Sequence, residues 1–290
     1  MDPVYISPIN RGVEPARPGE FPPVAIGPIC ADPPIVLAPM AGITNAPFRR
    51  LCRGFGAGLY VSEMITARAL VERNEKTMRL SEFDPDESPR SLQLYGVDPH
   101  YVGESVKLLV AEDRIDHLDM NFGCPVKKVT RRGGGAAIPA KPRLLEAIVR
   151  AAVRNAGAIP VTIKFRIGIE AGWNTFLEAG RIAEGEGCRA VALHARTAAQ
   201  LYDGEADWNA IGELAADLST WELPAARTKN RKPHMVHRAR GLIVDPDLRY
   251  ALRRVPRIPH AINPPATIAR PGDAGTTTIS AACTWTCVRV

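Results

Sequence analysis

The sequence predicts an α/β protein, a TIM-type (β/α)8 barrel that is incomplete, with about six β/α units recognisable over residues 35–220. Three observations lead there. Apolar runs of strand length alternate with segments of helical spacing from residue 35 to about residue 218. The runs are apolar enough to be buried on both faces, as in a parallel sheet covered by helices. Polar and reactive residues also recur at the C-terminal end of one run after another, and in a barrel all such ends meet on the face where barrel active sites are built. An open doubly wound sheet would scatter them along an edge, and no glycine-rich dinucleotide fingerprint follows the first strand.

In chain order, residues 1–34 hold nine prolines and no periodic apolar stripe, which predicts an irregular lead-in with a short strand at 24–29. Strands follow at 35–41, 58–64, 90–95, 117–122, 161–166 and 190–194. Between them the spacing predicts helices at 47–55, 67–71 with 77–80, 101–111, 142–156 and 175–186, and another at 209–218. From Trp221 onward there are eight prolines, scattered arginines, a threonine run at 276–278 and no strand–helix alternation. Residues 221–290 are therefore expected to be a basic, proline-rich, poorly ordered tail that does not supply strands seven and eight.

Composition narrows the class. With 46% apolar and 23% charged residues, the 290-residue chain is neither collagenous, disulfide-dense nor disordered throughout. Its strongest apolar runs, 35–40 and 190–194, fall far short of a membrane span. The N-terminus lacks a basic region followed by an apolar one, so the expectation is a cytoplasmic protein without a signal peptide. Six widely spaced cysteines are expected to be thiols. The net charge of +6 is unevenly placed: residues 222–290 carry twelve Lys/Arg against four Asp/Glu, which leaves the rest at minus two. Whole-chain charge thus says nothing about nucleic-acid binding by the barrel.

Chemistry concentrates at the strand ends. Cys124 lies in Asp119-Met120-Asn121-Phe122-Gly123-Cys124-Pro125, directly after a strand. An ordinary thiol, with a pKa near about 8.5, is mostly protonated at neutral pH and suits a general acid. The alternative is a buried structural cysteine. The following Gly133-Gly134-Gly135 permits a mobile loop over a substrate. Lys164 and Arg166 alternate with Ile163 and Phe165 and so point to one side of their strand, where charge is costly unless paired or bound to something anionic or electron-rich. His194-Ala195-Arg196 repeats the arrangement one strand later, against the alternative of a satisfied core histidine. Gln93 adds a donor and acceptor pair suited to an amide-like ring edge. His194 has no partner at metal-ligand spacing and Cys283-x3-Cys287 is isolated, so no metal site is expected.

Together, Ala38-Pro39-Met40-Ala41-Gly42-Ile43-Thr44, Ser62-Glu63-Met64, Gln93-Leu94-Tyr95-Gly96, the Asp119–Pro125 segment, Lys164-Phe165-Arg166 and His194-Ala195-Arg196-Thr197 closely resemble the FMN-dependent tRNA-dihydrouridine synthases, in particular the bacterial B-type branch. The resemblance covers about residues 24–218. It implies that Pro39, Met40 and Ala41 pack against the flavin and that Gln93, Lys164 and His194 bind its ring system, with Lys164 at the N1/O2 edge. It implies further that hydride passes from the flavin to C6 of a uracil in tRNA and that Cys124 protonates C5. The resemblance also implies Asn121, Arg166 and Arg196 as the residues that hold the flipped-out base, and NADPH as the reductant of the flavin in a separate half-reaction.

One departure from that pattern matters. The family's Asn-Gly-Asp and Gly-Arg turns, which bind the flavin phosphate, and its helical tRNA-binding domain have no counterpart in residues 221–290, which read as a frameshift after about Leu218 would. Weak FMN binding and little activity are expected in consequence. The alternatives are an inactive truncated remnant and a flavin oxidoreductase acting on a free pyrimidine.

Overall fold

The protein's structure, a computed structural model, describes residues 17–218. Expectations for the first sixteen residues and for the tail, its order and its missing strands included, lie outside the described residues.

An antiparallel hairpin comes first, β1 (Val24–Ile26) with β2 (Ile29–Ala31). Its turn places Gly27 at φ +58, beside Pro160 and Arg189. The expected single strand over 24–29 is thus two strands, because the glycine reverses the chain. Ile26 and Ala31 pack with Leu59, Val61 and Ala190, so the hairpin covers the N-terminal ends of the strands that follow.

Those strands are β3 (Val36–Leu37), β4 (Leu59–Thr66), β5 (Ser91–Tyr95), β6 (His117–Phe122), β7 (Val161–Arg166) and β8 (Ala190–His194). They form one parallel sheet in sequence order, so among the described residues the barrel is incomplete, as expected. The strands expected at 117–122, 161–166 and 190–194 have the bounds read from the sequence. The first is shorter than expected. Pro39 has no N–H to give a ladder, and the chain turns instead, with Ile43 and Thr44 donating to the Met40 carbonyl at 3.0 Å each.

Alternation sorts the strands' side chains. Leu92, Leu94, Leu118, Met120, Phe122, Ile163, Phe165, Val191 and Leu193 join the apolar core beneath the helices. The helices are α1 (Ala46–Arg53), α2 (Ala67–Val71), α3 (Glu75–Leu80), α4 (Pro99–Ala111), α5 (Lys127–Thr130), α6 (Pro142–Ala156), α7 (Phe176–Gly185) and α8 (Trp208–Asp217). In α6, Leu145, Ile148, Val149, Ala152 and Ala156 recur on one face and are all buried. Asp98 begins α4 by accepting from the His100 N–H at 2.9 Å, ahead of Pro99 in the first turn. Arg49 of α1 is fully buried: it donates to Glu87 Oε2 at 2.9 Å and to the Thr44 carbonyl at 2.8 Å, pinning the turn after β3.

The opposite face of the sheet is polar. Strand register lines up Gln93, Asp119, Thr162 and Ala190 in one row across β5 to β8. Below it, toward the N-terminal end, lie Ser91 and His117; above it lie Asn121, Lys164 and Ala192, and above those Arg166 and His194.

Candidate active site

The site is the upper part of that polar face, at the C-terminal ends of β5 to β8. Its floor is a chain of hydrogen bonds. The Asp119 carboxylate accepts from Thr162 Oγ1 at Oδ1 and from Gln93 Nε2 at Oδ2, both at 2.6 Å. Gln93 Oε1 accepts from Asn121 Nδ2 at 2.8 Å. Asn121 Oδ1 in turn accepts the N–H of Cys124 at 2.9 Å and of Gly123 at 3.2 Å. On the other side Thr162 meets His117 Nε2 at 3.0 Å, and His117 Nδ1 meets Ser91 at 2.7 Å. Ser91, Gln93, His117, Asp119 and Thr162 are all buried.

Burial sets the charges here. It pushes the Asp119 carboxyl up to about 6 against the opposing pull of Thr162, Gln93 and Lys164, so at neutral pH the group is an anion. Burial pushes His117 down to about 4, so that ring is neutral. His194 falls to about 3, first through burial and then through the positive charges of Lys164, Arg166 and Arg196. Arg196 Nη1 lies 3.4 Å from His194 Nε2, and an arginine can only donate, so the imidazole proton sits on Nδ1.

The resting places of the expected residues differ in kind. Pro39, Met40 and Ala41 form the turn after β3, closed by Gly42 at φ +75, whose N–H donates to Glu63 Oε2 at 2.8 Å. A register shift in β4 between Val61 and Met64 accompanies that contact. Cys124 follows β6 and is half-buried. Lys164 stands beside Asn121 on one side and the small Ala192 on the other.

Arg166, expected on the substrate, is placed as a brace. It is buried, and it donates to the Gly123 carbonyl at 2.9 Å, to Thr197 at 2.9 Å and to Leu201 at 2.8 Å, with Tyr202 stacked 5.6 Å from its guanidinium carbon. Arg196 donates to the Gly204 carbonyl at 2.8 Å, while its Nε is buried without a partner. The glycines after Cys124 also differ from the expected mobile loop. Gly134 and Gly135 are buried, Ala136 donates to the Cys124 carbonyl at 3.0 Å, and a Cβ on Gly135 would collide with that carbonyl. Gly135 also sits at φ +56, so glycine here serves close approach and a left-handed backbone, not mobility.

The parallel half-barrel thus carries a cysteine, a lysine and amide donors together at its strand ends. Residues 36–225 match the family described as dihydrouridine synthase. The chain belongs to that family. It is 55% identical over 220 residues to a probable tRNA-dihydrouridine synthase of Mycobacterium tuberculosis (strain ATCC 25618 / H37Rv), covering 73% of this chain and 55% of the relative. A probable tRNA-dihydrouridine synthase of Treponema pallidum is 36% identical over 207 residues, 70% of this chain and 61% of its own length. tRNA-dihydrouridine synthase B of Pseudomonas aeruginosa is 38% identical over 196 residues, 68% and 58% of the two chains. The chain thus spans between half and two thirds of the length of these curated relatives.

In this dihydrouridine synthase-family chain, sequence reasoning assigned no role to Ser91, His117, Asp119 and Thr162. A signal was present: Ser91/Gln93, His117/Asp119/Asn121 and Thr162/Lys164/Arg166 are polar at every second position, which puts them on one face of their strands. Among the described residues no group of His, Cys, Asp and Glu is arranged to hold a metal ion. No helix among them is long and apolar enough to cross a membrane.

Proposed function

We propose that this chain is the catalytic part of an FMN-dependent tRNA-dihydrouridine synthase, reducing the C5=C6 bond of uridine in tRNA with NADPH as the ultimate reductant, in the cytoplasm. The observation that carries the reading is the placement of Cys124, with its N–H anchored on Asn121, at the rim of a face that presents Gln93, Asn121, Lys164 and His194.

The residues fit a flavin ring. Gln93 retains an amide N–H beyond the one used in the internal chain and Lys164 brings a cation, while the remaining N–H of Asn121 and the buried, partnerless Nε–H of Arg196 are left for the base. Donors and positive charge suit a heteroaromatic ring edged with carbonyl oxygens and imine nitrogens, the more so when reduction adds negative charge. Pro39, Met40 and Ala41 form the apolar wall against which the ring packs. FMN, when bound, supplies the hydride that C6 of the uracil receives. Cys124 gives its thiol proton to C5, so the C5–C6 double bond becomes a single bond carrying one new hydrogen at each carbon. The thiolate left behind regains a proton from solvent. Asn121 and Arg196 hold the base, and Arg166 keeps the Cys124 loop in place through the Gly123 carbonyl.

A polymer substrate is favoured over a free pyrimidine by the strip that follows Cys124. Lys127, Lys128, Arg131, Arg132 and Lys141 are exposed, and no carboxylate among the described residues forms an ion pair with any of them. Some exposed cations elsewhere do stand opposite carboxylates, as Arg73 does Glu112 and Arg181 does Asp217. Unpaired cations in a row suit a phosphate backbone.

The test is direct. The purified chain is incubated with FMN, NADPH and unmodified tRNA or free uracil, and dihydrouridine or dihydrouracil is quantified by mass spectrometry. Dihydrouridine in tRNA, abolished in Cys124→Ala, is the expected result; reduction of free uracil in preference to tRNA, or no flavin binding at all, sinks the proposal.

A further inference from the structure

The hydrogen bonds of the inner face run in one direction, and a single group decides which. A carboxylate can only accept, so Thr162 must give Asp119 its one hydroxyl proton, at 2.6 Å. Thr162 is then left to accept from His117 Nε2–H, and His117 Nδ1 to accept from the Ser91 hydroxyl. On the other arm Gln93 must offer Asp119 its NH2, which turns its carbonyl toward Asn121. Asn121 must answer with its own NH2, which turns its carbonyl to the N–H groups of Gly123 and Cys124. Two strings of donors converge on Asp119. The carbonyl of Asn121 is thereby filled by two N–H groups and that of Gln93 is turned to Asn121, so each amide keeps one N–H directed outward, and the Cys124 main chain is tied to the same string.

We propose that Asp119 is the positioning residue of this site: by terminating both strings it sets the donor polarity of Gln93 toward the bound ring and of Asn121 toward the base, and it holds the backbone of Cys124. The proposal rests on the functional reading above for the identity of the ring, and it replaces the view of Gln93 as an even-handed donor and acceptor pair. Burial enforces it. Asp119 is 4% exposed and Gln93 1%, so no bulk water is at hand to satisfy an amide turned the wrong way.

Substitution of Asp119 separates polarity from mere support. Asparagine keeps one acceptor. Asp119→Asn can hold its carbonyl to Gln93 and turn its NH2 to Thr162, whose hydroxyl then rotates toward His117 Nε2 while the imidazole proton moves to Nδ1. That escape needs Thr162. With Thr162→Val also present, nothing selects the carbonyl for the Gln93 side, and the string loses its direction.

The 290-residue chain and its T162V, D119N, D119N/T162V and D119A variants are titrated with FMN. In parallel, alkylation of Cys124 by iodoacetamide is followed without FMN by site-resolved mass spectrometry, with the exposed Cys30 as internal reference. D119A is expected to lose about tenfold in FMN affinity, on the order of one lost oriented hydrogen bond, and to alkylate several-fold faster at Cys124. With the titrations run at alkaline pH, where Asp119 stays a carboxylate without the Thr162 hydrogen bond that holds its pKa down, T162V breaks only the other arm and stays within about twofold of the parent on both readouts although it lowers the melting temperature. D119N recovers most of both, and D119N/T162V falls to the D119A level. If D119A fails to fold, the comparison of D119N with D119N/T162V gives the same decision. The proposal is overturned if D119A matches T162V on both readouts, or if the double variant behaves as D119N does. A parent chain that binds no FMN would refute the functional reading, while the alkylation rates would still judge the positioning role.

Discussion

The two faces of the six-stranded sheet answer to different rules. The outer face is a set of apolar side chains, among them Phe122, Ile163, Phe165 and Leu193, packed under helices. The inner face is a string of single-purpose polar groups, each with a named partner: Ser91, His117, Thr162, Asp119, Gln93, Asn121 and the Cys124 backbone. Apolar packing has no direction, so an error there costs in proportion to the volume lost and stays local. A hydrogen bond has a donor and an acceptor, so one reversed group forces its neighbours to reverse and the effect travels to the site.

Cys124→Ala breaks the comparison most sharply, because it alters chemistry on the inner face without touching the string, which holds only the Cys124 N–H. Dihydrouridine formation on tRNA should fall by about 10²–10⁴-fold, the usual share of a general acid, with the melting temperature unchanged. Retained turnover would remove Cys124 from the mechanism. The outer-face counterpart is Phe165→Ala at a fully buried position. Its unfolding free energy in urea should drop by about 3–5 kcal/mol, while FMN affinity, measured below the unfolding transition, stays within about threefold. An affinity loss as large as that of Asp119→Ala would erase the distinction between the faces.

The pH dependence of stability sharpens it further. Asp119 rises from 3.8 to about 6 on folding, so between about pH 4 and 6 the folded chain holds the extra proton and this group's contribution to stability falls as pH rises. His117 and His194 fall from 6.5 to about 4 and about 3, so over the same window the unfolded chain holds more protons and their contribution rises. Near pH 5 each group is worth about 1.4 kcal/mol per pH unit, leaving the three together with one such increment upward. Asp119→Asn removes the falling component. Urea titrations from pH 4.5 to 5.5 should then show a slope about 1.4 kcal/mol per unit steeper than the parent's; equal slopes would mean that Asp119 keeps an ordinary pKa. The smallest effect is expected at the periphery. Arg68 and Glu72 form an exposed i,i+4 pair on and just beyond α2, and Arg68→Ala should leave the urea midpoint within the error of the parent's, any difference shrinking further in salt.

Local patterns carried much of this structure. The strands at 117–122, 161–166 and 190–194 were legible because alternate apolar residues need an outer core, whereas the helix read over 101–111 begins earlier, at Pro99 behind the Asp98 cap, because a polar cap and a proline lie outside the apolar spacing. The gathering of Gln93, Asn121, Cys124, Lys164 and His194 at one end was legible too, since parallel strands of a barrel bring all their C-terminal ends together.

What the sequence by itself determined is therefore what depends on near neighbours: element positions, strand faces and the kinds of residue at each strand end. Only the tertiary structure decided what those residues do to one another. Gln93 finds Asp119 across 26 positions of chain and Thr162 finds it across 43, and no local pattern says which amide end faces the carboxylate. The same holds for Gly135, read as freedom and found packed on the Cys124 carbonyl, and for Arg166, expected on the substrate and found donating to the carbonyls of Gly123, Thr197 and Leu201. The physical reason is common to all three: periodicity reports which side of an element a residue faces, whereas direction of donation, close approach and charge compensation exist only between groups that folding brings together.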